Sequence, residues 1–162
     1  MPELPDVATL VALYEQINHY GRANGMRLTV HRPGAVSYRM QVQEQHLSSP
    51  GAAHGGAIAG LMDAVLGAAA LTRAFIDQEF VSTVEFKLNF LHPVRPHDEL
   101  LAHAEVEHHG KSLVVVNGRI ECPARGVVVA LGLGTFNRYP ATKREFVQAM
   151  AEQLGLPKSD EV

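Results

Sequence analysis

The sequence is poor in several residue types, and each shortage excludes a class of protein. Its 162 residues include one cysteine, no tryptophan and only 6% aromatic residues. A lone Cys122 cannot form an internal disulfide, and the chain has no CxxC pair for a zinc ribbon or a redox motif. We therefore expect a reducing, cytoplasmic setting. The scarcity of aromatic rings disfavours a surface that stacks on bases or sugars.

Charge is also scarce, and it is balanced. The chain holds 14 Lys and Arg against 17 Asp and Glu, a formal net charge of −3, without a basic run. We therefore expect no nucleic-acid partner and no anionic membrane surface. The most apolar stretch, Ala57 to Leu71, is shorter than the ~20 residues that span a bilayer, and Asp63 interrupts it. The first residues carry prolines and acids where a signal peptide carries a basic segment, so we expect no secretion.

The length fits one domain, which we predict to cover 1–162. Hydrophobic periodicity predicts an N-terminal helix over about 6–20 that Asp6 caps, and a C-terminal helix over about 142–155. Between them, a buried helix over about 57–72 follows a long loop from Gln43 to Gly56. Such long loops in compact domains are usually functional.

Alternating polarity predicts six strands. They lie at 27–32 and 35–42, joined by a Pro33-Gly34 turn, and at 84–90, 100–108, 113–121 and 127–136. We expect the last four to form a meander. Glycines in the final strand indicate either a close approach of the helix or a twist. Strands in runs around one helix predict an α+β fold with an antiparallel sheet.

Two glycines, Gly55 and Gly56, open the buried helix. Because they have no Cβ, an oxygen with partial negative charge can approach the first amides of the helix along its dipole. An oxyanion hole can be built in this way from backbone alone. The alternative is that the glycines only permit a tight turn into the helix.

Asp63 lies about two turns into the same helix, too deep to cap it, among apolar neighbours. A buried carboxylate is costly unless it finds partners, so we favour a functional role over a polar stripe or a bond to backbone. Gly55 and Asp63 are eight residues apart, roughly 12 Å along a helix, so they cannot both touch one carbonyl. If they act together, the Asp comes from a second copy of the chain, which predicts a dimer with shared sites.

Several motifs together resemble one family. They are HGGAIAGLMD with the small-residue helix behind it, TVEFKLNFLHPV, the turn at His109-Gly110, and a Gly-rich strand ending in Thr135-Phe136. This pattern resembles the PaaI-like branch of the hot-dog-fold acyl-CoA thioesterases, over about residues 25–138. The resemblance implies an antiparallel sheet wrapped around a central helix, a homodimer or dimer of dimers, an acyl-CoA substrate, and hydrolysis to the free acid and CoA. We expect no cofactor and no metal. Of the nine histidines only His103, His108 and His109 cluster, and strand alternation puts His108 and His109 on opposite faces.

The resemblance also implies roles for matching residues. The Gly55 amide would bind the thioester oxygen, and His54 would help to polarise it. Asp63 of the facing subunit would activate water as a general base or attack the thioester directly. Thr83 would orient the water. Strict alternation places Thr83 on the face opposite Val84 and Phe86, so either Ser82 takes this role or a bulge intervenes.

The remaining implied positions concern substrate binding. Gly51 is the loop glycine three residues before the histidine, Gly56 continues the turn, and Ser48 stands where some relatives carry Asn. Basic loop residues could meet the phosphates of CoA, and the candidates are Arg95, His97, Lys111 and Arg138.

Two rival functions stay open at this stage. One is a catalytically silent acyl-CoA-binding or regulatory module, which would leave Asp63 without a purpose. The other is a hot-dog enoyl-CoA hydratase, which would need an Asp and His pair that His54 and Asp63 do not reproduce. Acyl chain preference leaves no readable mark in the sequence.

Overall fold

A computed structural model describes residues 6–141 of the chain. The predicted C-terminal helix over 142–155 lies outside the described residues. The elements, in chain order, are α1 Val7–Ile17, α2 His19–Ala23, β1 Arg27–Arg32, β2 Ala35–Gln41, β3 Leu47–Ser49, β4 Ala52–Ala53, α3 Gly55–Ala74, β5 Glu79–Phe90, β6 Glu99–His109, β7 Leu113–Cys122 and β8 Val127–Pro140, with short 3-10 turns at Glu44–His46, Phe75–Asp77 and Pro123–Arg125.

Six strands form one antiparallel sheet in the order β1-β2-β6-β7-β8-β5, and β3 and β4 form a separate hairpin. The predicted α+β hot-dog architecture is confirmed, because α3 lies across one face of this sheet. The expected meander of four strands is wrong in one respect. β6, β7 and β8 are consecutive neighbours, but β5 pairs with β8 at the edge, and β6 pairs with β2. Alternating polarity indicates where strands lie but not which strands pair, so the sequence gives no signal for the pairing of β5 with β8.

The core lies between α3 and the sheet. Leu61, Met62 and Leu66 of the helix are fully buried. A Cβ on Gly132 would lie 2.6 Å from the Met62 sulfur, and one on Gly118 would lie 2.7 Å from the same atom. These glycines therefore let the helix approach β7 and β8 closely, which is one of the two explanations that the sequence allowed for the glycines of the final strand.

The N-terminal segment is two helices where one was predicted over about 6–20. Asp6 caps α1 by accepting a hydrogen bond from the Thr9 amide at 2.8 Å. The helix ends at Asn18, whose side chain accepts from the Gly21 amide at 2.9 Å and so caps α2. A capping Asn interrupts one helix and starts the next.

The central helix is longer than predicted. By length and composition, the 23-residue segment Gly55–Asp77 could cross a membrane, but half of its apolar window is buried inside the protein. α3 packs against β2, β5, β6, β7 and β8. This is the packing of a core helix, and core helices commonly pass the same test.

Candidate active site

His54 and the two glycines form the entrance to α3. His54 is the N-cap residue, and its Nδ1 accepts a hydrogen bond from the Gly56 amide at 2.8 Å. Because Nδ1 is the acceptor, the neutral ring carries its proton on Nε2. A Cβ on Gly56 would lie 2.8 Å from His54 Nδ1, so a side chain there would disturb the cap. The Gly56 amide is thus engaged by the cap itself.

The amide of Gly55 is the open donor at this helix terminus. Within residues 6–141 it has no hydrogen-bond acceptor, and Gly55 is exposed. It stands at the first position of a 20-residue helix, where the dipole favours negative charge. A Cβ at this position would contact only the Phe90 ring, at 3.5 Å. The geometry suits a single backbone donor to a carbonyl oxygen.

Asp63 lies on the same helix and contacts strand β5. Thr83 Oγ1 donates a hydrogen bond to Asp63 Oδ1 at 3.1 Å. Asp63 is half-buried, in contrast to the full burial that its apolar neighbours predicted. One carboxylate oxygen is therefore held by a hydroxyl while the side chain stays accessible from a cavity.

A β-bulge explains how Thr83 reaches the helix. Thr83 pairs with Phe136 and Glu85 pairs with Thr135, so Val84 is an extra residue in β5. The bulge reverses the alternation and places Thr83 on the same face as Phe86. The sequence allowed either a bulge before Phe86 or a substitution of Ser82 for Thr83, and the structure has the bulge. Ser82, the other candidate, pairs with Asn137 and lines the same cavity.

The cavity beside Asp63 has a volume of about 500 Å³ and is mostly apolar. Asp63, Ser82 and Thr83 are polar residues at this cavity. Its apolar and aromatic walls include Tyr14, Ile17, Leu71, Phe80, Val81, Phe136 and Tyr139. Burial raises the pKa of Tyr14 above its ordinary value, and the charge of Asp63 adds to the shift. The sequence left open whether the N-terminal helix covers the pocket or packs elsewhere, and the structure places Tyr14 and Ile17 of α1 in this wall. A larger depression of about 770 Å³ lies on the other side of α1 and contains none of the predicted site residues.

The structure does not bring Gly55 to Asp63 within one chain. Both residues belong to the continuous helix α3, so their separation along its axis remains about 12 Å. Gly55 borders a different, shallower cavity of about 230 Å³ with Phe90 and Val94. The carboxylate of Asp63 and the open amide of Gly55 therefore lie at two separate places on one chain.

The other predicted residues lie near Gly55 or away from both Gly55 and Asp63. Ser48 and Gly51 are exposed in the β3–β4 hairpin that leads to His54, and Gly51 has a φ of 94° that favours glycine. Arg138 is wrong as a phosphate ligand. Its guanidinium is buried and paired with Asp77 and Glu79, so it belongs to an internal ion-pair cluster.

Known proteins share this sequence pattern and fold. The family model of the thioesterase superfamily matches residues 50–129, which contain Gly55, Asp63 and Thr83. The PaaI protein from the phenylacetic acid degradation operon of E. coli is similar with a TM-score of 0.75 and 23% identity, over 82% of this chain and 93% of that one. A conserved protein of Pseudomonas aeruginosa has a TM-score of 0.70 and 28% identity, over 77% of this chain and 98% of that one.

A hypothetical thioesterase from Streptococcus pneumoniae, solved with coenzyme A, has a TM-score of 0.69 and 20% identity, over 81% of this chain and 97% of that one. No curated protein sequence matches the chain significantly. The resemblance drawn from HGGAIAGLMD and the strands behind it is confirmed by the family match and by the shared architecture. Residues 50–129 match the thioesterase superfamily, and the chain has the hot-dog fold of thioesterases such as PaaI.

Proposed function

We propose that this thioesterase hydrolyses acyl-CoA thioesters to the free carboxylic acid and CoA. The observation that carries the proposal is the Asp63 carboxylate, held by Thr83 at 3.1 Å, at the wall of an apolar cavity. An accessible carboxylate beside an apolar cavity suits the reacting carbonyl of a bound acyl group. The coenzyme A in the Streptococcus pneumoniae structure supports CoA as the carrier. We assign no cofactor and no metal to the reaction.

The proposed site is shared between two copies of the chain. Gly55 of one copy donates its amide to the thioester oxygen, with His54 beside it, and Asp63 comes from the other copy. The separation of about 12 Å within one helix supports this arrangement, since one carbonyl cannot contact both groups. Gly51, Gly56 and Ser48 would shape the substrate side of the Gly55 half-site, and Ser82 would border the acyl cavity.

Strand β5 offers the surface for such a pairing. In the described part of the chain it is an edge strand, paired only with β8, and Val84, Phe90 and the adjacent Leu91 are exposed. Thr83 lies in the first half of β5 beside Asp63, and Phe90 is the last residue of the strand, beside Gly55. Antiparallel pairing of β5 with itself about a two-fold axis would bring each Thr83 end towards the Phe90 end of the partner. A homodimer, or a dimer of dimers, follows from this proposal.

The chemistry requires one water and the breaking of the C–S bond. As a general base, Asp63 takes a proton from water while the oxygen attacks the carbonyl carbon. The Gly55 amide stabilises the oxyanion, and the CoA thiolate leaves and takes up the proton. As a nucleophile, Asp63 forms an anhydride that water then hydrolyses. In either case Thr83 orients the carboxylate, and its oxygen can accept a hydrogen bond from the water.

We also propose a cytoplasmic location for this activity. The single cysteine, Cys122, is buried and unpaired, as in proteins that fold under reducing conditions. It also simplifies the assay, because a buried thiol contributes little background when free CoA is detected with a thiol reagent.

The test is a hydrolysis assay over acyl-CoAs of increasing chain length, with aryl and alkyl acids. The natural chain should release CoA, and Asp63→Asn and Asp63→Ala should lower kcat by at least about 1000-fold, as loss of a catalytic base or nucleophile does. Circular dichroism should show both variants folded. Full activity of Asp63→Asn, or tight acyl-CoA binding without turnover by the natural chain, would contradict the proposal. Single-turnover hydrolysis in ¹⁸O water would then separate the two roles of Asp63, because only a nucleophilic carboxylate acquires the label.

A further inference from the structure

His46 is a buried histidine that none of the proposed chemistry uses. It is only 2% exposed. Its Nδ1 accepts a hydrogen bond from the Gln43 amide at 3.0 Å, and its Nε2 lies 3.0 Å from Asn24 Oδ1. Because Nδ1 faces a donor, the ring is neutral with its proton on Nε2, and this proton is donated to Asn24. Both nitrogens of a buried polar ring are thus satisfied.

Asn24 fixes the direction of this hydrogen bond. Its side-chain nitrogen donates to the Tyr20 carbonyl at 2.9 Å, which leaves Oδ1 to face the imidazole. Tyr20 belongs to α2, and its ring packs over Gly60 of α3, where a Cβ would lie 1.8 Å from the phenol oxygen. Through Asn24 and Tyr20, the His46 ring is therefore linked to α2 and α3, which both border the cavity beside Asp63.

The backbone of His46 holds the turn that begins α3. Its carbonyl accepts a hydrogen bond from the His54 amide at 2.7 Å. The residues between them form the β3–β4 hairpin, with Leu47 opposite Ala53. This bond closes the base of the hairpin and delivers His54 to its capping position, one residue before the open Gly55 amide. The Ala53 amide adds a second anchor, to the Val94 carbonyl at 2.9 Å.

We propose that His46 is a positioning residue that holds the Gly55 amide in line with the thioester oxygen. The inference rests on the proposed role of Gly55 as oxyanion donor. An oxyanion hole works only when its donor is fixed where the charge develops. Besides the bond from Ala53 to Val94, the His46 side chain ties the start of the hairpin to Asn24 on one side and to Gln43 on the other.

The kinetic test compares His46→Ala with His46→Gln, whose amide offers one acceptor and one donor. Misplacement of the Gly55 amide affects the transition state more than substrate binding. His46→Ala should therefore lower kcat about 10- to 100-fold, with KM within about threefold. His46→Gln should recover much of this loss. Asn24→Ala removes the partner of Nε2 together with the hydrogen bond to the Tyr20 carbonyl, and it keeps the imidazole in place. It should lower kcat less than His46→Ala, and it replaces that variant in the test if His46→Ala does not fold. His103→Ala, an exposed histidine of β6, is the control and should match the natural chain.

A second measurement needs no substrate. Hydrogen–deuterium exchange of the His54 amide should become faster in His46→Ala and Asn24→Ala, and it should be unchanged in His103→Ala. Unchanged exchange and unchanged kcat in a folded His46→Ala variant would overturn the inference, as would equal losses in the Ala and Gln variants. If the natural chain hydrolyses no acyl-CoA, the proposed function fails, and the exchange rates still decide whether His46 holds the turn.

Discussion

At the scale of single residues, the Asp63 carboxylate has one fixed neighbour, the Thr83 hydroxyl, and that contact depends on one extra residue in β5. Without the bulge at Val84, strict alternation would place the Thr83 side chain on the face of the sheet opposite α3. Gly55 and Gly56, although adjacent, also have different roles. Gly56 serves the His54 cap, and Gly55 leaves an amide open.

Thr83→Val tests the positioning of the carboxylate, because valine keeps the shape and removes the donor. Hydrogen bonds to charged groups contribute about 1.5–3 kcal/mol, so we expect kcat to fall about 10- to 100-fold. The matched control is Thr135→Val. Thr135 Oγ1 also donates to a carboxylate, Glu85 Oε1 at 2.9 Å, but on the face opposite the core. Thiol-release kinetics of the two variants should differ clearly. Equal effects would mean that Thr83 has no special part in catalysis.

The residue types that sequence reasoning found are those whose chemistry conflicts with their surroundings. Asp63 in an apolar helix and two glycines at a helix start are such conflicts, and Thr83 followed from its place in the resembled family. His46 was missed because a histidine in a polar loop carries no signal of burial. Its partners, Asn24 and Gln43, come from separate segments, and only the fold brings them together.

At the scale of elements, helix and strand periods predicted the main elements, while capping and hairpin details changed their bounds. Asn18, followed three residues later by Gly21, is the signal that divides the N-terminal helix, since a Cβ on Gly21 would lie 2.5 Å from Asn18 Nδ2. The segment from Gln43 to Gly56, predicted as a loop, contains a 3-10 turn and the β3–β4 hairpin. These short elements have too few residues to show a period.

Gly67 of α3 lines the proposed acyl cavity, so a substitution at Gly67 tests how much space the acyl chain needs. A Cβ at this position would lie 3.6 Å from Phe136, an ordinary contact. Gly67→Ala should stabilise the helix by about 0.5–1 kcal/mol, because glycine is unfavourable inside helices. Gly67→Val fills more of the cavity and should lower kcat/KM for long acyl chains at least about tenfold, with little change for acetyl-CoA.

Gly67→Ala is the control for Gly67→Val, because both remove the glycine but only the larger side chain blocks space. Thermal unfolding measures the first effect, and a series of acyl-CoA lengths measures the second. A uniform loss over all chain lengths would show that the cavity does not hold the acyl group.

At the scale of the whole molecule, buried titratable groups limit stability at both ends of the pH scale. Burial lowers the pKa of His46 from its ordinary 6.5. Burial lowers that of His109 too, with Arg73 and Arg138 adding to the shift. The unfolded chain therefore binds more protons than the folded one below about pH 6.5, and the free energy of unfolding falls as the pH falls. Burial raises the pKa of Tyr14, Tyr38 and Tyr139 from 10.0, so stability is also lost as the pH rises above about 10.

Urea unfolding over this pH range should show a plateau between about pH 6.5 and 10. The double variant His46→Gln and His109→Gln should have a weaker dependence on the acid side, because neither position can then take up a proton on unfolding. His103→Gln, at an exposed position, should keep the dependence of the natural chain. An unchanged acid slope in the double variant would assign the acid loss to other groups.

Sheet order is the feature that the sequence left open, and it decides how two molecules can meet. Placing β5 at the edge beside β8 puts Thr83 and Phe90 on one edge strand, next to Asp63 and Gly55. The expected meander would have placed this strand beside β6. The proposed dimer thus depends on a long-range pairing that local patterns do not specify.

Subunit mixing tests whether each site is shared. Gly55→Pro removes the amide proton and adds a pyrrolidine ring. Proline is accepted at the first position of a helix, and His54 has the extended backbone that precedes it. Homodimers of Gly55→Pro and of Asp63→Asn should both be nearly inactive, while Gly55→Ala keeps the amide and should stay active.

A purified heterodimer of Gly55→Pro with Asp63→Asn contains one intact shared site, so it should recover about half of the natural activity. The reciprocal heterodimer, natural chain with the Gly55→Pro, Asp63→Asn double variant, has no intact shared site and should be inactive. Sites confined to single chains would give the opposite result for both heterodimers.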